Sequence, residues 1–243
     1  MFRDSIARGI DKSGGISHLL CGKLEVLAGC AWYLRHDVGQ YRSYLAEIGP
    51  LMISICDRDA VGAITAGSLL SSHSYREMMH MLAGGDLASA REFAAKMGYR
   101  REYDEKHSHP FGIAFGQGIR HVVLQQPAEA RPFLEEADRM CGTKKGFWTH
   151  GYTHILQACL DGDLAMANRA LREIVDGHPR ELKRGGMFED DLIHLCLCHW
   201  GVAVANLARG IYDLPVDAIP PLIPAELLIQ PASASSLSQT NNV

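Results

Sequence analysis

Apolar residues recur along this chain at spacings of three and four. Leu24, Leu27, Ala31 and Leu34 form one stripe, and Leu87, Ala90, Phe93, Ala94 and Met97 a second. Phe133, Leu134, Ala137 and Met140 form a third, and Ala167, Ala170, Leu171 and Ile174 a fourth. Each set falls on one face of an α-helix. No Asn-Gly or Asp-Gly pair is flanked by alternating apolar and polar runs, so β-hairpins are not expected. Breakers fall at Gly49-Pro50, Gly84-Gly85, Pro110, Gly142 to Gly146 and Gly185-Gly186. The pattern predicts an all-α protein with about ten to twelve helices.

A weak repeat runs through the middle of the chain. The segment starting at Asp86 aligns with that starting at Gln126, an offset of 40, and a further offset of 37 reaches Asp163. Asp86 and Asp163 suit helix N-caps, and Pro127 suits a first helical position. An apolar helix precedes each copy, so the unit is a helical hairpin. The spacing is close to that of tetratricopeptide and HEAT arrays, and the predicted architecture is a divergent helical-hairpin solenoid.

The last strong helix is expected from about Asp190 to Arg209, apolar nearly all round and therefore buried. Glu189, Asp190 and Asp191 stand at its start, where negative charge complements the helix dipole. A Pro-rich strap from Leu214 to Pro224 follows and is expected to lie across the helical body. Residues 1–229 thus read as a single helical domain. Residues 230–243, rich in Ser, Ala, Gln and Asn, read as a disordered tail.

The chain has 243 residues with 47% hydrophobic, 21% charged and a formal net charge of −4. Its scattered basic residues exclude a nucleic-acid binder built on a basic stripe and a polybasic membrane anchor. No run approaches the ~18 apolar residues of a membrane span, and the first residues lack the apolar core of a secretory signal. Seven irregularly spaced cysteines read as reduced thiols of a cytoplasmic protein. No cofactor is expected.

Twelve histidines demand a chemical reading. His150 and His154 are one helical turn apart, a workable pair of metal ligands, yet the general-base Glu of a His-Glu-x-x-His motif is missing. His194 and Cys198 are expected on one face of the last helix, and joined to the pair they make the sharpest metal hypothesis: His150, His154, His194 and Cys198. A metal-dependent enzyme using the three histidines is one reading; inert core and surface positions are the other. No G-x-S-x-G elbow is present, and Gly112, Gly116 and Gly118 match no phosphate loop, so close helix packing explains them better. Met78, Met79 and Met81 read as core filler. Acidic residues stand out at Glu181, Glu189, Asp190 and Asp191, and at Glu135, Glu136 and Asp138. Such edges suit a basic partner, or they serve as helix caps. Trp148, Phe147 and Tyr152 are aromatic candidates for interface anchors.

The last quarter of the chain carries a further pattern. An acidic start at Glu189 leads into Trp200-Gly201, then Asn206-Leu207-Ala208-Arg209, then Ile223-Pro224-Ala225-Glu226-Leu227-Leu228. This order, over residues 188 to 229, resembles the immunity protein 49 family, helical proteins associated with bacterial polymorphic toxin systems. The resemblance implies a non-catalytic cytoplasmic protein that binds and neutralises a cognate toxin or effector. Glu181, Glu189, Asp190, Asp191 and Trp148 are then the partner-binding candidates, and self-association stays open. A generic α-solenoid scaffold binding a peptide partner is the alternative.

Overall fold

The computed structural model describes residues 2–184 and 192–231, and the fold is all-α. Among those residues the only β-pairing is a single bridge between Ile219 and Ile223. Helices α1 (Phe2–Ala7), α2 (Gly15–Arg35), α3 (Val38–Ala46) and α4 (Ile48–Ala60) come first. Then follow α5 (Tyr75–Gly84), α6 (Leu87–Met97), α7 (Arg101–His107), α8 (Pro110–Val123) and α9 (Pro127–Met140). The chain finishes with α10 (Gly151–Asp161), α11 (Leu164–Arg184) and α12 (His199–Ile211). Gly49-Pro50 is no break: proline is tolerated in a first turn, and α4 begins at Ile48.

The repeat corresponds to three helical hairpins, α5–α6, α8–α9 and α10–α11, each pair packed together. Asp86 caps α6 by accepting from the Ser89 N–H at 3.1 Å, and Asp163 accepts from Met166 at 2.8 Å. The turns are the same in all copies. Asp86 N–H donates to Met81 O, Gln126 to His121 O and Asp163 to Ala158 O, each five residues back, the long bond of a Schellman ending. That geometry puts Gly85, Gln125 and Gly162 in the left-handed region, at φ of 80°, 55° and 69°. Ala90, Ala130 and Ala167 are equivalent and all fully buried.

α12 is the buried centre. It packs on α5, α6, α10 and α11, so the hairpins gather round a helix supplied from the far end of the chain. A linear solenoid, where units touch only their neighbours, does not make such a contact. The expected start of this helix is too early: Leu192–Leu195 form a 3-10 turn, and Cys198 is the N-cap of α12. Glu189, Asp190 and Asp191 lie outside the described residues, as does the tail from residue 232.

The strap lies across the body as expected, with Val216, Ile223, Leu227 and Leu228 buried. Two side chains of the Asn206-Leu207-Ala208-Arg209 sequence hold it. Asn206 Nδ2 donates to Leu82 O, Ala83 O and Leu227 O at 3.1 to 3.2 Å, and Oδ1 accepts from the Ile229 N–H. Arg209 donates to Val216 O and Ile229 O. The resemblance motif is thus a structural clasp between α5, α12 and the strap.

The glycines of α8 permit close approach. A Cβ on Gly116 would sit 2.1 Å from Ser72 O, and one on Gly118 2.7 Å from Leu134 of α9. Met78, Met79 and Met81 are fully buried in the core.

Candidate functional site

The Leu24, Leu27, Ala31, Leu34 stripe of α2 divides in the folded protein. Leu24, Ala28 and Ala31 face the core, whereas Leu27, Tyr33 and Leu34 stand in solvent, the last two 61% and 70% exposed. Leu195, on the 3-10 turn packed against α2, is 68% exposed. Between the helix and that turn lies a small apolar hollow lined by Val26, Cys30, Tyr33, Leu34, Ile193 and Cys196. Gly29 lets the turn come close, since a Cβ there would meet Ile193 at 3.2 Å.

Further along α2 an open cavity of about 610 Å³ is lined by His18, Glu25, Val26, His73, Arg76, Glu77 and His80. Val26 borders both recesses. At the rim, His18 Nε2 lies 2.8 Å from Glu77 Oε1, and this bond raises the His18 pKa against the effect of burial. His73 is shifted the other way by burial.

Behind His80 a polar chain runs inward. His80 Nδ1 is 2.9 Å from His199 Nε2, and His199 Nδ1 is 3.0 Å from the Tyr41 hydroxyl. Burial pushes the Tyr41 pKa well up, so the phenol keeps its proton and donates to His199 Nδ1. Burial, with His80 adding to it, drives the His199 pKa far down, so the ring is neutral. Its single N–H then donates to His80, whose Nε2 approaches Glu25 Oε2 at 3.7 Å. The chain satisfies buried polar atoms and fixes both imidazole tautomers.

The His150–His154 pair adjoins two carboxylates that sequence spacing did not supply. His150 Nδ1 is 2.9 Å from Asp138 Oδ1, and His154 Nε2 is 3.6 Å from the same oxygen. His154 Nδ1 is 3.3 Å from Glu173 Oε2. Asp138 also accepts from Thr153 Oγ1 at 2.5 Å, and Glu173 Oε1 accepts from Thr149 Oγ1 and the His150 N–H. Burial opposes ionisation of Asp138, but the bonds from Thr153 and His150 prevail and hold its carboxyl below its ordinary range. Among the described residues, Asp138, His150 and His154 are the one group whose ligand atoms converge as metal ligands do.

The expected four-residue site is therefore not assembled. His194 is enclosed by His178, His199 and Trp200, and Cys198 contacts the Tyr152 hydroxyl at 3.6 Å. The break in helix at 196–198 removes the common face assumed for His194 and Cys198. Burial pushes the Cys198 thiol up to about 11 and that of Cys141 up to about 12, so neither is an activated nucleophile. Glu181 is also corrected: it is buried and accepts from the Trp148 backbone N–H, so it offers no docking edge. Trp148 itself is 41% exposed with the Arg180 guanidinium over its ring. Phe147 and Tyr152 are core residues. Asp138, counted in sequence as part of an acidic edge, is the carboxylate that meets the histidine pair. Its distance of 12 residues from His150, across a loop, hid the contact.

No known family model matches this chain, and neither a curated protein nor a solved structure matches it.

Proposed function

We propose that this protein binds and neutralises a cognate bacterial toxin or effector by non-covalent association, as an immunity protein does, in the cytoplasm. The observation that carries the reading is the apolar face of α2. Leu27, Tyr33, Leu34 and Leu195 stand exposed, and Tyr33 and Leu34 line the small apolar hollow, a combination soluble proteins keep for interaction sites. Glu189, Asp190 and Asp191 immediately precede Leu192 in the chain, and the net charge is −4. Together they favour a basic partner, whose encounter such charge accelerates. Trp148, the other aromatic candidate, is exposed and lines neither recess.

This reading expects a toxin domain encoded beside this gene, and the test is co-expression with that neighbouring product, followed by titration of the purified pair. The expected result is rescue of growth and a complex at or below micromolar concentration. A Tyr33→Lys/Leu34→Lys variant should weaken the complex by about 100-fold, given ~1–2 kcal/mol for each apolar anchor lost. Its melting temperature should hold, because both side chains are mostly in solvent. A complex without rescue would favour a peptide-binding scaffold on the same face, and self-association through it would show as a dimer that the variant dissolves. The absence of both rescue and complex would sink the proposal.

A further inference from the structure

We infer that Asp138, His150 and His154 form a binding site for a divalent transition-metal ion of the zinc class, with Glu173 orienting one ligand. Three helices build it. Asp138 lies in the last turn of α9, His150 is the N-cap of α10 with His154 in its first turn, and Glu173 lies on α11. Bonds of ~2.0–2.1 Å in a tetrahedral shell set ligand atoms about 3.4 Å apart. Asp138 Oδ1 lies 2.9 Å from His150 Nδ1 and 3.6 Å from His154 Nε2. All three ligand atoms fall within 4.8 Å of one another. Shifts of a few tenths of an ångström at the carboxylate and a rotation of the two rings bring them onto an ion.

The second nitrogen of His154 decides the chemistry. Its Nδ1 faces Glu173 Oε2 at 3.3 Å. A small turn of the ring lets a carboxylate there accept the Nδ1–H bond and leaves the Nε2 lone pair directed at Asp138, the carboxylate–histidine–metal arrangement that fixes tautomer and ring plane. Glu173 is in turn anchored through Oε1 by Thr149 Oγ1 and the His150 N–H, and Asp138 by Thr153 Oγ1. Two imidazoles and one carboxylate suit zinc, cobalt, nickel or ferrous iron rather than calcium or magnesium, which take oxygen ligands. The side chains of His150 and His154 are 40% and 35% exposed, so solvent reaches the fourth position. A bound ion would tie the end of α9 to the start of α10 across the 141–150 connection.

The test uses the full-length protein stripped with a chelator, then dialysed against zinc chloride and analysed for metal, with cobalt(II) as spectroscopic probe. One equivalent of zinc is expected. The cobalt form should show the visible bands of a nitrogen- and oxygen-ligated ion without a thiolate charge-transfer band. His150→Gln and His154→Gln should abolish stoichiometric binding while far-ultraviolet dichroism is kept. Glu173→Gln should weaken binding by about 10–100-fold, the usual effect of losing an orienting carboxylate. Retention of a full equivalent by His154→Gln, a thiolate band, or wild-type content below about a tenth of an equivalent would each overturn the assignment.

Discussion

The side-chain carbonyl of Asn206 accepts the backbone N–H of Ile229 at 2.9 Å, while its amide donates to three carbonyls of α5 and the strap. Asn206 is fully buried, so the Ile229 N–H and the Leu227 carbonyl lose this partner without it, whereas Leu82 O keeps the Gly85 N–H. Asn206→Ala should cost about 2–4 kcal/mol, from a cavity plus unsatisfied buried polar atoms. Urea unfolding reads this as a lower midpoint. A loss below about 1 kcal/mol would mean that water replaces the side chain without penalty.

The equivalent turn positions make a matched pair of substitutions. Gly162 has φ of 69° and nothing within 4 Å of where a Cβ would stand, so Gly162→Ala tests conformation alone. It should destabilise by about 1 kcal/mol. Gln125→Gly releases the same strain at φ 55° but gives up two exposed bonds, from Arg91 to the side-chain carbonyl at 3.1 Å and a long one from Gln125 Nε2 to Ile211 O at 3.4 Å. It should stabilise by about 0.5 kcal/mol, since exposed hydrogen bonds offset part of the gain. Equal signs for the two variants would contradict the shared turn geometry.

Close packing of α8 predicts a steep contrast between glycines. At Gly116 a methyl group would collide with the Ser72 carbonyl, and neither backbone can yield cheaply. Gly116→Ala should cost about 3 kcal/mol or more. Gly22, within α2 and open to solvent, has nothing within 4 Å of a Cβ. Gly22→Ala should raise stability by about 0.5–1 kcal/mol through helix propensity. Thermal melts of the two proteins should therefore move in opposite directions.

Acid should weaken the fold before carboxylates titrate. Burial, reinforced by neighbouring rings, holds His194 and His199 far below the ordinary imidazole pKa. Both are neutral in the folded protein, whereas the unfolded chain binds protons below about pH 6.5. Stability is therefore complete above that value and is lost as pH falls, by up to about 1.4 kcal/mol per pH unit for each histidine. His18 acts oppositely, because its bond to Glu77 raises its pKa and favours the fold at lower pH, but it is 41% exposed and weighs less. The urea midpoint should drop between about pH 7.5 and pH 5.5, and His199→Gln should flatten that slope. A midpoint indifferent to pH would refute the neutral assignment.

Local order was well encoded. Capping aspartates at 86 and 163, the proline at 127 and apolar spacing located three hairpins, because each signal acts within one or two turns of backbone. Longer-range facts were not. The apolar count of α2 could not say that Leu27 and Leu34 would be left outside while Leu24 and Ala31 were covered, since that depends on which helices arrive. The buried Tyr41–His199–His80 chain joins residues separated by up to 158 positions, and no spacing rule reaches so far. Glu181 failed as a surface residue for the opposite reason: its charge suggested solvent, yet a backbone N–H nearby satisfies it in the interior. The histidine pair was legible, but its acidic partners come from separate helices and emerge only on folding.

The central place of α12 also sets an order of events during synthesis. α5 ends at Gly84 and the helix that covers it begins at His199, more than a hundred residues later. At ~5–20 residues per second a ribosome needs roughly six to twenty-five seconds to deliver that cover. Throughout this interval Tyr75 and His80 lack the Trp200 and His199 rings that they meet in the folded protein, and the early hairpins carry an uncovered seam. A nascent chain of this design is most vulnerable to aggregation and proteolysis just before its last helix emerges, so its yield in cells is governed by what protects the seam until then.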